Sequence, residues 1–523
     1  MNNFQERLRA LTPAVLKGLR RGIEKEGLRV RPDGMLALTP HPSALGSALT
    51  HSHITTDFCE SQLELITGVH TSVDACLHEL KQIHQFVYRN IGDEVIWCSS
   101  MPCTLPQEDT IPVGRYGRSN VGQAKSVYRI GLGHRYARRM QAISGLHYNF
   151  SLPPEALPLP GLRDSNDAYF ALIRNFRRNG WLLLYLFGAS PAVCASFVQG
   201  RKHALQELGP GTLYLPHASS LRMGRLGYLS EAQDSLAVSY NNLESYTASL
   251  YDALTQPYPP YEAIGIHDGD SGGDPVDRYR QLATSLLQIE NEFYSTIRPK
   301  RVIRPRERSL HALRERGVEY IEVRAMDLDP FSAVGIAAQT MHFLDVFLLH
   351  CLLRDSPPDT PGEIDANGRN KQRIAAYGRE PGLRLERDGQ PVQLCDWGRQ
   401  VLLECETIAA ALDQAIGNGK TPHRDALAAA RAALDAPASL PSARILEEME
   451  RHYDRSYCRF ALARSLEHRS VLQSEPLAAA VQERYALMAK ESIEKQRAIE
   501  AADTLSFEAY RQHYLSPERL VPG

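Results

Sequence analysis

The stretch 22–30, GIEKEGLRV, carries two carboxylates where a core-facing strand should be apolar. Side chains alternate across a strand with a period of two, so Glu24, Glu26, Leu28 and Val30 share one side. That side should be buried, yet it begins with two acids. Two further segments repeat the conflict. In 317–324, GVEYIEVR, Ile321 and Val323 point one way and Tyr320, Glu322 and Arg324 the other. In 144–151, SGLHYNFS, Leu146, Tyr148 and Phe150 share one face, and His147 and Asn149 the other. Singly, each polar face reads as solvated sheet with surface ion pairs. Together the three point to a metal-lined cavity. Buried unpaired carboxylates cost on the order of several kcal/mol, and divalent cations are their natural compensation.

A fourth acidic segment is 54–67, ITTDFCESQLELIT. Asp57 and Glu64 are seven positions apart, a spacing that puts them on opposite faces of one regular strand. They converge only if a bulge or bend intervenes. Carboxylate donors, one histidine and no cysteine favour Mg²⁺ or Mn²⁺ over Zn²⁺. Several carboxylates facing an arginine suit phosphoryl transfer, in which metal and guanidinium share the charge of the moving group.

The rest of the chain sets bounds on this reading. Its 523 residues suffice for one large domain or several ordinary ones. A formal net charge of -2 gives no drive toward nucleic acid or anionic membrane. The nine cysteines include no CxxC pair, which excludes a zinc ribbon and a thioredoxin motif. Cys98 and Cys103 are close enough in sequence to pair, but reduced, buried thiols are the expectation. The N-terminus lacks the apolar run of a signal peptide. The uncharged stretch 181–198 is broken by Gly188, Ser190 and Pro191, so it predicts a buried core element rather than a membrane span.

Periodicity predicts a one-faced helix over 73–91, capped by Thr71-x-x-Asp74 and stopped at Gly92. It predicts a more fully buried helix over 331–353 and a helical region from about residue 400. The Pro-rich connection 356–363 is a candidate boundary, but the tail's apolar faces must pack somewhere, so one continuous structure is expected. Three motifs fail on context. The protease-like GDSGG at 269–273 lies in a chain that is not all-β and reads as a polar turn. GNGKT at 417–421 lacks the P-loop's first glycine, since position 414 is Gln414, and reads as a helix C-cap. The basic run 298–308, RPKRVIRPRER, reads as a solvated loop, with one or two of its residues on ATP phosphates as the functional option.

RGIEKEGLRV, ITTDFCESQLELIT, YRIGLGHRY, QAISGLHYNFSLP, SSLRMGRLGY, LLQIENEFYSTIRPKR and GVEYIEVRAMDLDPF occur in this order over about residues 18–350. Together they resemble the proteobacterial type of glutamate–cysteine ligase. Beyond 360 the resemblance is weak apart from LPSARIL and the EAADTLSFEAY region. It implies an α+β fold: a twisted, cone-like antiparallel sheet surrounded by helices, akin to the glutamine synthetase catalytic core. The whole of 1–523 would be one catalytic domain, with a helical C-terminal part over about 400–520 packed on it.

The resemblance also implies roles. Glu24, Glu26, Asp57, Glu64, His147 and Glu322 would hold two or three Mg²⁺ ions, and Arg129 and Arg324 would face the transferring phosphoryl group. Arg222 would hold the carboxylate of the glutamate substrate, and Phe58, Tyr128, Leu132, Tyr228 and Tyr294 would form the cysteine pocket. The implied reaction joins L-glutamate to L-cysteine through γ-glutamyl phosphate, with ATP as co-substrate. Glutathione would be a feedback inhibitor. A cytoplasmic monomer with no nucleic-acid or membrane partner is expected. Cys59 lies beside the proposed site, but the chemistry needs no protein nucleophile, so it reads as packing.

Overall fold

The computed structural model describes residues 3–227, 231–234, 236–268 and 275–521. Its centre is a seven-stranded sheet whose paired strands all run antiparallel. The strands are β1 (Arg20–Val30), β2 (Ile54–Thr56), β3 (Gln62–Ile66), β4 (Val95–Ile96), β5 (Leu146–Ser151), β6 (Ile297–Lys300) and β7 (Tyr320–Met326). Their order is β2-β3-β1-β5-β7-β6, with β4 pairing the far end of β1. With helices throughout the rest of the chain, the fold is α+β.

Register explains how the polar positions meet. Glu24 lies across from His147, Glu26 from Glu64, and Glu322 from both Asn149 and Arg298. Residues directly opposite in a ladder share a face. The alternating polar positions of separate segments therefore merge into one continuous patch. The other face carries Ile23, Tyr148, Phe150, Ile321 and Val323, all buried. It is covered by α1 (Val73–Tyr88), and α3 (Ala338–Leu353) reaches it through Asp345, which accepts from the Tyr148 hydroxyl at 2.8 Å. A separate helix, α2 (Asn120–Tyr136), begins at Ser119, whose Oγ accepts from Gly122 N at 3.2 Å.

The structure differs locally from the expectations. Helix α1 is capped by Ser72 rather than Thr71: its Oγ accepts from Ala75 N at 3.4 Å, and the helix ends at Tyr88. Helix α3 starts at Ala338, because 331–337 is a set of turns in which Asp329 N donates to Gly335 O at 2.9 Å. The uncharged stretch splits into a helix (Trp181–Phe187), a strand (Ala192–Cys194) and a short 3-10 turn (Ala195–Val198), mostly buried. Among the described residues no helix is long and apolar enough to cross a membrane. Gly417 caps a helix in the left-handed conformation, with φ of 71°. Every cysteine is free, Cys98 and Cys103 included. The GDSGG turn at 269–273 lies outside the described residues.

Among the described residues beyond 360 the chain is helical apart from one hairpin, Arg384–Arg387 with Gln390–Gln393. Two of its helices return to the sheet layer. Tyr457–Ser474 packs on α1 and β4, and Ala479–Ala501 packs on α1. The helix α4 (Phe507–Leu515) lies against α2.

Candidate active site

The polar face of the sheet is part of the wall of a cavity of about 1070 Å³. Three neighbouring strands, β1, β5 and β7, supply its polar cluster. His147 Nδ1 is 3.3 Å from Glu24 Oε2 and 3.5 Å from Glu322 Oε1, and its Nε2 is 3.5 Å from Glu26 Oε1. Asn149 Nδ2 donates to Glu24 Oε1 at 2.9 Å. Arg324 Nη1 donates to Glu322 Oε1 at 3.0 Å, and Lys300 Nζ lies 3.6 Å from Glu322 Oε2. Glu24, His147 and Glu322 each offer a donor atom, all within 4.8 Å of one another.

Glu26 and Glu64 face each other across the β1–β3 ladder, a position where like charges destabilise a sheet. Burial pushes the Glu26 carboxyl up to about 8, with the charge of Asp57 adding to it. Burial also pushes Glu64 well up, joined by the charges of Glu24, Asp57 and Glu26. Glu322 goes the other way. Burial raises it, but Lys300, Arg324 and His147 together hold it well below the usual carboxylate range. Burial and then Arg324 lower the His147 imidazole, which keeps the ring neutral and able to ligate.

Asp57 and Glu64 do converge, and neither a bulge nor a bend within one strand is responsible. The segment is a hairpin: Thr55 pairs with Glu64, and Asp57 N donates to Gln62 O at 3.0 Å. Asp57 therefore continues the face of Thr55, opposite Gln62 and beside Glu64. Arg129 projects from α2 toward this hairpin. Its Nε donates to Asp57 O, its Nη1 donates to Lys125 O at 2.9 Å, and the guanidinium lies 4.4 Å from the Tyr116 ring centroid. All the metal-ligand candidates line the cavity, as do Arg129 and Arg324.

Phe58, Tyr128, Leu132 and Tyr294 form an apolar part of the same wall. Tyr294 is held in place by Gln141, whose Nε2 donates to the tyrosine oxygen at 2.9 Å. Tyr228 lies outside the described residues. Arg222 is placed differently from the others. It is fully buried, its Nη2 donates to Arg324 O at 2.8 Å, and its Nη1 is 3.6 Å from Asp327 Oδ1. It reaches this position because residue 145 is glycine: a Cβ there would sit 2.1 Å from Arg222 Nη2. Its side chain thus supports the strand that carries Arg324.

Asn149 and Lys300 belong to this site but were not assigned roles from sequence. The strand period puts Asn149 on the polar face with His147, but does not say that it would hold Glu24. Lys300 was hidden in the basic run, where nothing in the sequence separates an edge-strand lysine from its loop neighbours. Lys125 also lines the cavity, and burial together with Arg129 pushes its ammonium down to about 8.

A family model described as glutamate-cysteine ligase matches residues 6–374. The chain is 46% identical to a glutamate–cysteine ligase of Alcanivorax borkumensis, over 98% of this chain and 99% of that one. It is 48% identical to one of Pseudomonas entomophila, over 95% and 93%. The crystal structure of the Francisella tularensis glutamate–cysteine ligase in complex with AMP is similar, with a TM-score of 0.88 at 35% identity, covering 95% of this chain and 97% of that one. A bifunctional glutathione synthetase from Pasteurella multocida shares the fold, with a TM-score of 0.72 at 22% identity over 94% of this chain and 58% of the other.

Proposed function

The chain belongs to the glutamate–cysteine ligase family, and on that premise we propose that it joins the γ-carboxylate of L-glutamate to the amine of L-cysteine with ATP as co-substrate. The observation that carries this reading is the over-acidic face of the sheet. Glu322 Oε2 and His147 Nε2 are buried and make no hydrogen bond among the described residues, while Glu26 and Glu64 are set directly opposite. Such a donor set fits hard divalent cations. Glu24, His147 and Glu322 would hold one Mg²⁺, and Glu26, Asp57 and Glu64 the neighbouring positions. Bound there, Mg²⁺ supplies positive charge to phosphate oxygens.

The chain's own residues account for the remaining steps. A carboxylate is a poor acyl donor until phosphorylated. An oxygen of the glutamate γ-carboxylate attacks the γ-phosphorus of ATP, the bond to the bridging oxygen breaks, and ADP leaves. Arg324 and Lys300 stand beside Glu322 and would take up charge on the moving group. The cysteine amine then attacks the acyl carbon of γ-glutamyl phosphate, loses a proton, and phosphate leaves. The Phe58, Tyr128, Leu132 and Tyr294 wall would orient cysteine and exclude water. Arg222 would serve the glutamate carboxylate by fixing the Arg324 backbone, with direct contact requiring an opening of its buried site.

The AMP complex of the Francisella relative supports nucleotide use. Glutathione contains the γ-glutamylcysteine unit, would span both amino-acid positions, and should compete with glutamate. Soluble substrates suit a cytoplasmic enzyme, and a monomer is proposed with it. The test is ADP release with glutamate alone, cysteine alone and both. Full turnover only with both supports the ligase. Equal turnover with glutamate alone would make the protein a kinase.

A further inference from the structure

Cys194 and Cys458 belong to distant parts of the chain, yet the fold brings their sulfurs together. Cys194 ends the strand Ala192–Cys194, and its ladder partner is Thr212 on the strand Thr212–Tyr214. The hydroxyl of Thr212 accepts from Tyr457 N at 3.0 Å, which docks the start of the helix Tyr457–Ser474 on this strand pair. Cys458 is the second residue of that helix. Thr104 touches both sulfurs: its Oγ1 is 3.8 Å from Cys194 Sγ and 3.5 Å from Cys458 Sγ. The Cys458 thiol hydrogen-bonds Cys194, and Ser196 Oγ donates to Cys194 Sγ at 3.2 Å.

This pair differs from the other neighbouring cysteines. Burial in apolar surroundings raises a thiol and makes it inert. Cys103, also close to Cys194, is fully buried and pushed well up in this way. Cys351 and Cys405 are neighbours too, but both are fully buried and pushed up. Cys194 goes the other way. The hydrogen bond from Cys458 lowers it most, burial opposes, and Ser196 and Thr104 help to hold the thiol down to about 5. The start of the helix Tyr457–Ser474 favours negative charge beside it. Cys458 is only half-buried, so solvent reaches the pair.

We propose that Cys194 and Cys458 form a reversible redox site that reacts with a peroxide and closes to a disulfide, tying the helical C-terminal part to the body of the fold. The Cys194 thiolate attacks one peroxide oxygen, the O–O bond breaks, and hydroxide leaves with the electron pair. Cys194 is then a sulfenic acid. The Cys458 thiol gives up its proton and attacks the Cys194 sulfur. The S–O bond breaks, and the departing hydroxide takes that proton to become water. The two sulfurs together lose two electrons, and the peroxide gains them. Excess thiol reverses the step by exchange at the disulfide. The cross-link closes a long loop, so it stabilises the fold by restricting the unfolded chain. Neither cysteine lines the acidic cavity, so the site is separate from the proposed catalytic one.

The test treats the full chain with hydrogen peroxide, blocks the remaining thiols, digests without reductant and maps the peptides by mass spectrometry. The expected product is a peptide pair joining Cys194 to Cys458, lighter by two hydrogens and released by dithiothreitol. The oxidised protein should melt several degrees above the reduced one, and dithiothreitol should remove that shift. Cys458→Ser keeps a hydroxyl to hydrogen-bond Cys194, so it should lose the cross-link and leave a sulfenic acid on Cys194 that dimedone labels. Cys194→Ser should lose the cross-link and leave Cys458 unlabelled, while Cys103→Ser should change nothing. Should a variant fail to fold, the wild-type peptide map decides alone. A map that joins Cys194 to Cys103, or that finds all nine cysteines still free, would overturn the assignment. Dimedone label on Cys458 in Cys194→Ser equal to that on Cys194 in Cys458→Ser would overturn it as well.

Discussion

On the helix side of the sheet, Arg21 meets Asp345 of α3 through hydrogen bonds of 3.3 and 2.9 Å, and Tyr148 donates to the same carboxylate at 2.8 Å. His423 extends the network, 3.9 Å from Asp345 Oδ2 and 2.8 Å from Asp413 Oδ1. On the cavity side of the same strands, Glu26 faces Glu64, and Glu322 and His147 keep buried atoms without a hydrogen bond among the described residues. Both faces hold charge away from water. One is neutralised by protein groups; on the other, Glu322 has Lys300 and Arg324 beside it, but Glu26 and Glu64 are set acid against acid. On the proposed reading the difference separates a structural ion pair from a cation site: desolvated charge that the fold does not compensate must be compensated by what binds.

The largest expected effect lies on the cavity face. Arg324→Ala should lower kcat by about 10³-fold, by analogy with arginines that act on phosphoryl transition states. KM for ATP and glutamate should move little, and Arg324→Lys should rescue only in part, since an ammonium lacks the planar fork. If the residue were merely Glu322's structural partner, the melting temperature would fall and kcat per folded molecule would survive.

Asp345→Asn should show the opposite pattern. Breaking a buried pair costs about 3–5 kcal/mol because the partner charge is stranded. Denaturant melts should report that loss, with kcat per folded molecule unchanged. Burial pushes the Asp345 carboxyl up, but the Arg21 charge and its hydrogen bonds hold it below the usual range. A depressed folded pKa means that the stabilisation is present above the unfolded value of about 3.9 and is lost as pH falls through the folded one. The variant should therefore lack part of the wild type's acid limb. An unaltered acid limb would show that Asp345 is not ionised in the folded protein.

The smallest effect sharpens the contrast further. Glu64→Gln relieves the like-charge pair and should raise metal-free stability by about 1 kcal/mol while abolishing turnover. A destabilised variant that still turned over would move Glu64 to the structural side.

Much of this contrast was legible in the chain. The two-residue period of β5 and β7 separated His147, Glu322 and Arg324 from their greasy neighbours, that of β1 put Glu24 and Glu26 together on one side, and the antiparallel register merged them. Local spacing failed at 54–67, because parity along one strand cannot reveal a hairpin. The start of α3 was placed too early, because the apolar residues Phe331, Ala333 and Val334 sit in turns and pack against the core there. Arg21 and Asp345 are 324 positions apart, so no window could pair them. The sealed position of Arg222 depends on a missing Cβ at Gly145, and the meeting of Cys194 with Cys458 depends on how the whole tail packs.

The central claim is that the acidic face activates a carboxylate by phosphorylation. The direct test supplies glutamate with heavy oxygen in its γ-carboxylate, together with ATP, Mg²⁺ and cysteine, and takes mass spectra of the products. The account predicts γ-glutamylcysteine and a heavy oxygen transferred to the released phosphate. A peptide product formed with unlabelled phosphate, or no peptide product at all, would contradict it.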